Sequence, residues 1–177
     1  MNIAVITSSP HKRGTSAYLA DHFIRGAEEA GHTVFRFDAA FEDLHPCLGC
    51  DRCGFTGMCV HGDSMEKLLP HLTEAELVVF ITPLYYFGMS AQLKTVIDRF
   101  YSVNYQLMGS GKQAMLLATA YDNNDWTFQA LAFHYETVVK YLGWTDAGQL
   151  LAGGCGSRSA IEHSDFGRRA YEMGRSL

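Results

Sequence analysis

Three short, uninterrupted apolar runs punctuate the chain: Ile3-Ala4-Val5-Ile6, Leu77-Val78-Val79-Phe80-Ile81 and Met115-Leu116-Leu117-Ala118. Runs of this length without polar alternation suit strands buried on both faces of a parallel sheet. Two further strand candidates are mixed. Thr33-Val34-Phe35-Arg36-Phe37 carries a charge, and the stretch from Trp144 to Leu151 carries Asp146 and Gln149, as expected of strands at sheet edges. Between these lie helical stripes. Leu19, Phe23 and Ala27 share a face with Ala20 and Ile24, and Gly31 is placed to end that helix. Leu93, Val96, Ile97 and Phe100 follow the i, i+3, i+4, i+7 spacing, with Ser90 as the cap. Leu131, Tyr135, Val138 and Leu142 form another stripe, stopped by Gly143. Asp63 and Glu66 read as a capping box before Met65, Leu68 and Leu72, in a helix that Pro70 bends or shortens. A last helix spans the region of Asp165 to Arg175.

The order β-α-β-α-β-α-β-α-β-α implies a doubly wound α/β fold. Three apolar and two mixed strands fit the flavodoxin-like arrangement, a three-layer sandwich around a five-stranded parallel sheet of order 2-1-3-4-5, with the mixed strands outermost. A Rossmann order would need a sixth parallel strand and a glycine fingerprint. With no repeat, linker or low-complexity tract, residues 1–177 read as a single domain.

Hydrophobic residues make up 47% and charged residues 19% of the 177, the profile of a globular protein. The formal charge of −5 and the absence of a basic run argue against nucleic acid and anionic membranes as partners. No apolar stretch approaches a membrane span, and Met1-Asn2-Ile3-Ala4 starts a strand rather than a secretory signal, so a cytoplasmic location is expected.

Ligands of open parallel sheets bind beyond the carboxyl ends of the strands. The first strand ends in Thr7-Ser8-Ser9-Pro10-His11-Lys12-Arg13-Gly14-Thr15-Ser16 before a helix. Its hydroxyls, glycine and free helix N-terminal amides can cradle a phosphate dianion, or can form an ordinary polar turn. Neither Gly-x-Gly-x-x-Gly nor a Walker pattern is present. The third strand ends in Thr82-Pro83-Leu84-Tyr85-Tyr86-Phe87-Gly88-Met89-Ser90. Consecutive aromatics followed by glycine suit a flat conjugated ring, although the same residues could close the core or form a subunit contact.

The patterns Ser8-Ser9-Pro10-x-x-x-Gly14-Thr15-Ser16 and Pro83-x-Tyr85-x-x-x-Met89-Ser90-Ala91-x-Leu93-Lys94-x-x-x-Asp98-Arg99 resemble the NADPH-dependent FMN reductases and their iron-sulfur flavoprotein branch. The resemblance implies Ser8, Gly14, Thr15 and Ser16 at the FMN phosphate, and Pro83, Leu84, Tyr85, Tyr86, Phe87 and Gly88 along the flavin ring. By analogy Thr119, Ala120 and Tyr121 approach from the other side, and Gly153, Gly154 and Cys155 form a rim. Lys94, Asp98 and Arg99 match the motif and are expected in ion pairs or at an interface. The implied activity is electron transfer from NAD(P)H through FMN to a quinone, flavin, ferric or similar acceptor, in a homodimer or homotetramer. The protein's share is to shape the slot over the flavin, with Tyr86 or Phe87 suited to that.

Four of the five cysteines form Cys47-x2-Cys50-x2-Cys53-x5-Cys59, within a loop at about 45–62. Clustered cysteines in a chain without an export signal point to metal or redox chemistry. The two successive two-residue spacings let three thiolates converge, and the segment containing Gly54 and Gly57 can fold the fourth back. The loop resembles the compact motif of iron-sulfur flavoproteins, which implies a 4Fe-4S cluster on Cys47, Cys50, Cys53 and Cys59. Zinc, which more often takes two separated pairs, and a metal-free loop remain the alternatives. With a cluster the chain becomes an electron carrier between redox proteins. A phosphoacceptor receiver, which shares this sheet order, is excluded because Ser8-Ser9 and Thr82-Pro83 stand where it needs acidic residues.

Overall fold

A computed structural model describes residues 1–56 and 58–177; Gly57 of the cysteine loop lies outside the described residues. Five parallel strands form the sheet: β1 (Asn2–Thr7), β2 (Thr33–Asp38), β3 (Leu77–Tyr85), β5 (Gln113–Thr119) and β6 (Thr145–Ala152), in the order β2-β1-β3-β5-β6. The two mixed strands are the edges, as their polarity requires. The sequence-based picture of a purely five-stranded sheet needs one correction. A two-residue strand β4 (Gly88–Met89) folds back antiparallel on the end of β3, pairing Leu84 with Met89 and Tyr85 with Gly88. A reversal this tight needs left-handed backbone at both turn positions, and the residues that supply it are Tyr86 (φ 46°) and Phe87 (φ 62°).

The apolar runs explain themselves in the packing. Alternate residues Ala4, Ile6, Val78, Phe80, Ala114 and Leu116 bury on one face, while Ile3, Val5, Leu77, Val79, Met115 and Leu117 bury on the other. The first face is covered by α3 (Met65–Glu74), α4 (Ala91–Arg99) and α6 (Gln129–Leu142). The second is covered by α1 (Thr15–Glu29), with α7 (Arg158–Glu162) and α8 (Phe166–Arg175). The shorter α2 (Arg52–Thr56) lies in the cysteine loop and α5 (Asn104–Leu107) precedes β5.

Helix ends follow the sequence signals with one exception. Ser90 accepts the Leu93 amide at the start of α4, Gly143 closes α6 at φ 67°, and Gly31 at φ 87° follows α1. The capping box at α3 does not form. Asp63 turns its carboxylate to the amides of Met65 and His45 and to Arg99, and Ser64 becomes the residue before the helix. The physical reason is that the carboxylate is shared: it keeps the Met65 amide, and the buried Arg99 guanidinium and the His45 amide take its other positions. α3 itself runs through Pro70 without ending there.

Candidate flavin site and cysteine loop

The carboxyl ends of β1, β3, β5 and β6 converge on an open cleft of about 690 Å³, within the range of small-molecule and cofactor sites. One wall is the turn between β1 and α1. Gly14 N donates to His11 O (2.9 Å), and a side chain at Gly14 would press to 3.0 Å from the His11 Cβ, so the tight turn favours glycine. No side chain caps α1 and its first turn contains no acidic residue. The positive end of a 15-residue helix therefore faces the cleft uncompensated.

Across the cleft, Thr119 at the end of β5 ties this wall to the sheet. Its Oγ1 accepts from Thr15 Oγ1 (3.0 Å) and bonds Ser16 Oγ at 2.9 Å. Of the residues expected at the phosphate, Gly14 and Thr15 line the cleft and Thr119 joins them. Ser8 and Ser16 lie beneath it, almost wholly buried. The Ser8 hydroxyl donates to Ile81 O (3.2 Å) and so stitches β1 to β3.

The residues expected along a flat ring divide in the same way. Pro83, Leu84 and Tyr85 line the cleft. Tyr86, 103% exposed at the hairpin tip, points into solvent, and Phe87 leans on Trp126 with ring centroids 5.0 Å apart. Gly88 is committed to the β4 pairing. The far wall comprises Ala120, Tyr121, Cys155, Gly156, Ser157 and Arg158. Gly156 is needed there because a side chain would enter the Tyr121 ring. Burial pushes the Cys155 thiol upward in pKa, which keeps it an uncharged part of that wall. Gly156, Ser157 and Arg158 escaped the sequence reading, although the three glycines at 153, 154 and 156, following an edge strand, were the available signal; His11, Lys12 and Arg13 were read only as part of the first loop.

Lys94 pairs with Asp98 one helical turn away, at 2.5 Å, and both are exposed. Arg99 instead turns inward, and it governs the cysteine loop. Its Nη1 donates to Asp63 Oδ2 (2.6 Å) and His45 O (2.8 Å), and its Nη2 donates to Asp63 Oδ1 (3.0 Å). Burial opposes the charge on Asp63, but the Arg99 bonds and the His45 and Met65 amides outweigh it and lower the carboxyl's pKa.

Cys47 and Cys50 are exposed, Cys53 and Cys59 half-buried, and all four are free thiols. Burial raises the pKa of Cys53, and the neighbouring Cys59 and Cys47 raise it further, so three of the four sense one another. Among the described residues, the group of three ligand atoms that comes within 4.8 Å is His45, His61 and Asp63, without any cysteine. Four free thiols within thirteen residues are a donor set that a zinc ion or an iron-sulfur cluster takes. Two buried nitrogens here, Arg99 Nε and His61 Nε2, have no protein partner. The histidine-aspartate group is not itself a metal site: the Asp63 oxygens already take four N–H donors.

The parallel sheet order and a rim cleft built on an uncapped helix define a flavodoxin-like α/β protein. Comparison with known proteins sharpens this. The family model described as "NADPH-dependent FMN reductase" matches residues 1–151, and the chain belongs to that family. An iron-sulfur flavoprotein of Archaeoglobus fulgidus is 32% identical over 99 residues, which are 56% of this chain and 45% of the relative. One from Methanocaldococcus jannaschii is 30% identical over 128 residues, covering 70% of this chain and 64% of the relative. The chain spans about half the length of the first of these curated relatives. The solved NAD(P)H:quinone oxidoreductase from Methanothermobacter marburgensis superposes with a TM-score of 0.77, covering 100% of this chain and 96% of that one at 23% identity, a likeness of fold. No helix among the described residues is long and apolar enough to cross a membrane.

Proposed function

We propose that residues 1–177 form one FMN-binding domain that oxidises a reduced nicotinamide nucleotide and passes the electrons to a quinone, flavin, ferric or similar acceptor. The observation that carries this reading is the cleft itself. An uncapped helix N-terminus and the Thr15–Thr119 hydroxyl pair lie at one end, and Pro83, Leu84 and Tyr85 lie at the other. Gly14 and Thr15 hold the phosphate through backbone amides and a hydroxyl, while Ser8, Ser16 and Thr119 fix the cradle from behind. Leu84 and Tyr85 flank the ring, and the Tyr86–Phe87 tip stands beside it as a wall for the incoming nicotinamide. Bound FMN supplies the hydride acceptor and the one- or two-electron donor, so no protein acid-base pair is required. His11, Lys12, Arg13 and Arg158 give the rim positive charge that attracts anionic nucleotides. The exposed aromatics Tyr86, Tyr121 and Trp126 around the same rim support a homodimer or homotetramer in which a second copy covers the cleft, and the setting is the cytoplasm.

The test is a titration of the purified protein with FMN, followed by anaerobic addition of NADH or NADPH. Stoichiometric quenching of flavin fluorescence and bleaching of the bound flavin are expected. A protein that leaves FMN fluorescence unchanged refutes the reading.

A second reading, an iron-sulfur flavoprotein that carries electrons between redox proteins, is favoured by one specific feature. The loop bearing Cys47 is anchored through His45 O to the Arg99–Asp63 pair, on the helix that directly follows the flavin-side hairpin. Anaerobic reconstitution with ferrous iron and sulfide should then load four irons per chain in the cubane expected on four thiolates, roughly one cluster; failure to retain iron after desalting removes this reading and leaves the first intact.

A further inference from the structure

Arg99 is 2% exposed, yet its Nε–H is buried with no acceptor. Both Nη1 protons are committed, to Asp63 and to the His45 carbonyl, and Nη2 holds the other Asp63 oxygen. The guanidinium is therefore fixed, and the Nε–H, beside the second Nη2 hydrogen, cannot swing away to water. Leaving such a donor empty costs the full desolvation of the group, and native proteins rarely tolerate it without a use.

What lies next to it is the cysteine loop. His45, bonded through its carbonyl to Nη1, is two residues before Cys47. After Asp63, the charged groups that act on the Arg99 guanidinium are Cys59 and Cys47.

We propose that Arg99 is a positioning residue whose Nε–H is reserved for a sulfur on the Cys47–Cys59 side of the loop when the loop holds an iron-sulfur cluster. This rests on the iron-sulfur reading above. Asp63 already neutralises the guanidinium, so the effect on the cluster is a directed hydrogen bond rather than net charge. Such outer-shell bonds hold the ligand sulfur in place and raise the reduction potential.

The experiment compares the full chain with the R99K variant after anaerobic reconstitution with ferrous iron and sulfide. Lysine keeps the charge that Asp63 requires and loses the donor along the side chain. Loss of iron to a chelator should be about 10-fold faster in R99K, the lower end of outer-shell effects, with a lower midpoint potential in a dye-mediated titration. Equal loss rates and equal potentials overturn the proposal. Should R99K fail to fold, the wild-type protein labelled with 15N-arginine decides. Electron-nuclear double resonance of the reduced cluster should show an exchangeable proton and an arginine nitrogen coupled to it, and no coupling overturns the proposal. A wild-type chain that takes up no iron sinks the cluster reading together with this one; a loaded wild type whose variant behaves identically sinks only the role of Arg99.

Discussion

Asp63 and Arg99 meet as a two-pronged ion pair, Nη1 to Oδ2 at 2.6 Å and Nη2 to Oδ1 at 3.0 Å, with both side chains almost wholly shut off from water. The pair joins the end of the cysteine loop to the last residue of α4. Arg99 then reaches back to the loop's start through the His45 carbonyl, so one guanidinium holds both ends of the insertion. Truncating either partner leaves the other charged and buried. Arg99→Leu or Asp63→Ala should therefore cost about 3–5 kcal/mol of stability, read as the shift in urea midpoint at unchanged slope.

The same pair sets an acid limb. The folded Asp63 carboxyl has a lowered pKa: burial works against the charge, and the Arg99 and amide bonds overcome it. A depressed carboxyl stabilises the fold fully above its ordinary value of 3.8, and the contribution disappears as pH falls through the lower folded value. Denaturant melts between about pH 2 and 5 should show this loss. In Asp63→Asn the corresponding part of the slope should be missing, and an unchanged slope would show that other carboxylates govern the acid limb.

Much of this was legible in the chain. The continuous apolar runs announced β1, β3 and β5, and the polar interruptions at Arg36, Asp146 and Gln149 placed β2 and β6 at the edges, because parallel strands covered on both faces admit no exposed side. Gly14 and Thr15 of the first loop and the stretch Pro83 to Tyr85, all picked out from the sequence, line the cleft. What was hidden depended on contacts far apart in sequence. Nothing in Ser8 announces that its hydroxyl is consumed by Ile81, and Asp63 looks like a helix cap until a residue 36 positions later claims it. The β4 hairpin was invisible for a different reason. Two bulky aromatics are the wrong chemistry for a turn of this hand, which glycine and asparagine normally make.

That mismatch has a measurable consequence. Tyr86 takes φ 46° with its side chain fully in solvent, so the fold gains nothing from the ring and bears the backbone strain. Tyr86→Asn should stabilise the apoprotein by about 0.5–1 kcal/mol, raising Tm by roughly 1–4 °C for a chain of this size. If the ring is kept for the cleft, the variant should also raise the KM for the nicotinamide nucleotide. A destabilised variant would mean that Tyr86 packs against something in solution.

Gly174 tests the packing of the last helix. Glycine to alanine within a helix ordinarily stabilises by nearly 1 kcal/mol. Here α8 crosses α1 so closely that a Cβ at Gly174 would stand 2.2 Å from the Phe23 carbonyl oxygen and 2.8 Å from the Ala27 amide. Backbone cannot yield as a side-chain tip would. Gly174→Ala should therefore reverse the usual sign and cost about 1–3 kcal/mol, visible as a lowered Tm; a neutral result would mean that the two helices separate without penalty.

Thr119 bears most directly on the cleft. Its hydroxyl is the shared partner of Thr15 and Ser16, so Thr119→Val keeps the shape of the β5 end and strands two hydroxyls, one of them buried. An unmet buried hydroxyl costs about 1–3 kcal/mol, and part of that should appear as looser binding when the cradle must be ordered around a phosphate. A 5- to 30-fold rise in the Kd for FMN is expected, about 1–2 kcal/mol. Riboflavin, which has the ring system without the phosphate, should bind the variant and the wild type equally well. The contrast between the two ligands carries the argument. Equal weakening for both would place Thr119 against the ring, and no weakening for either would detach the α1 N-terminus from flavin binding altogether.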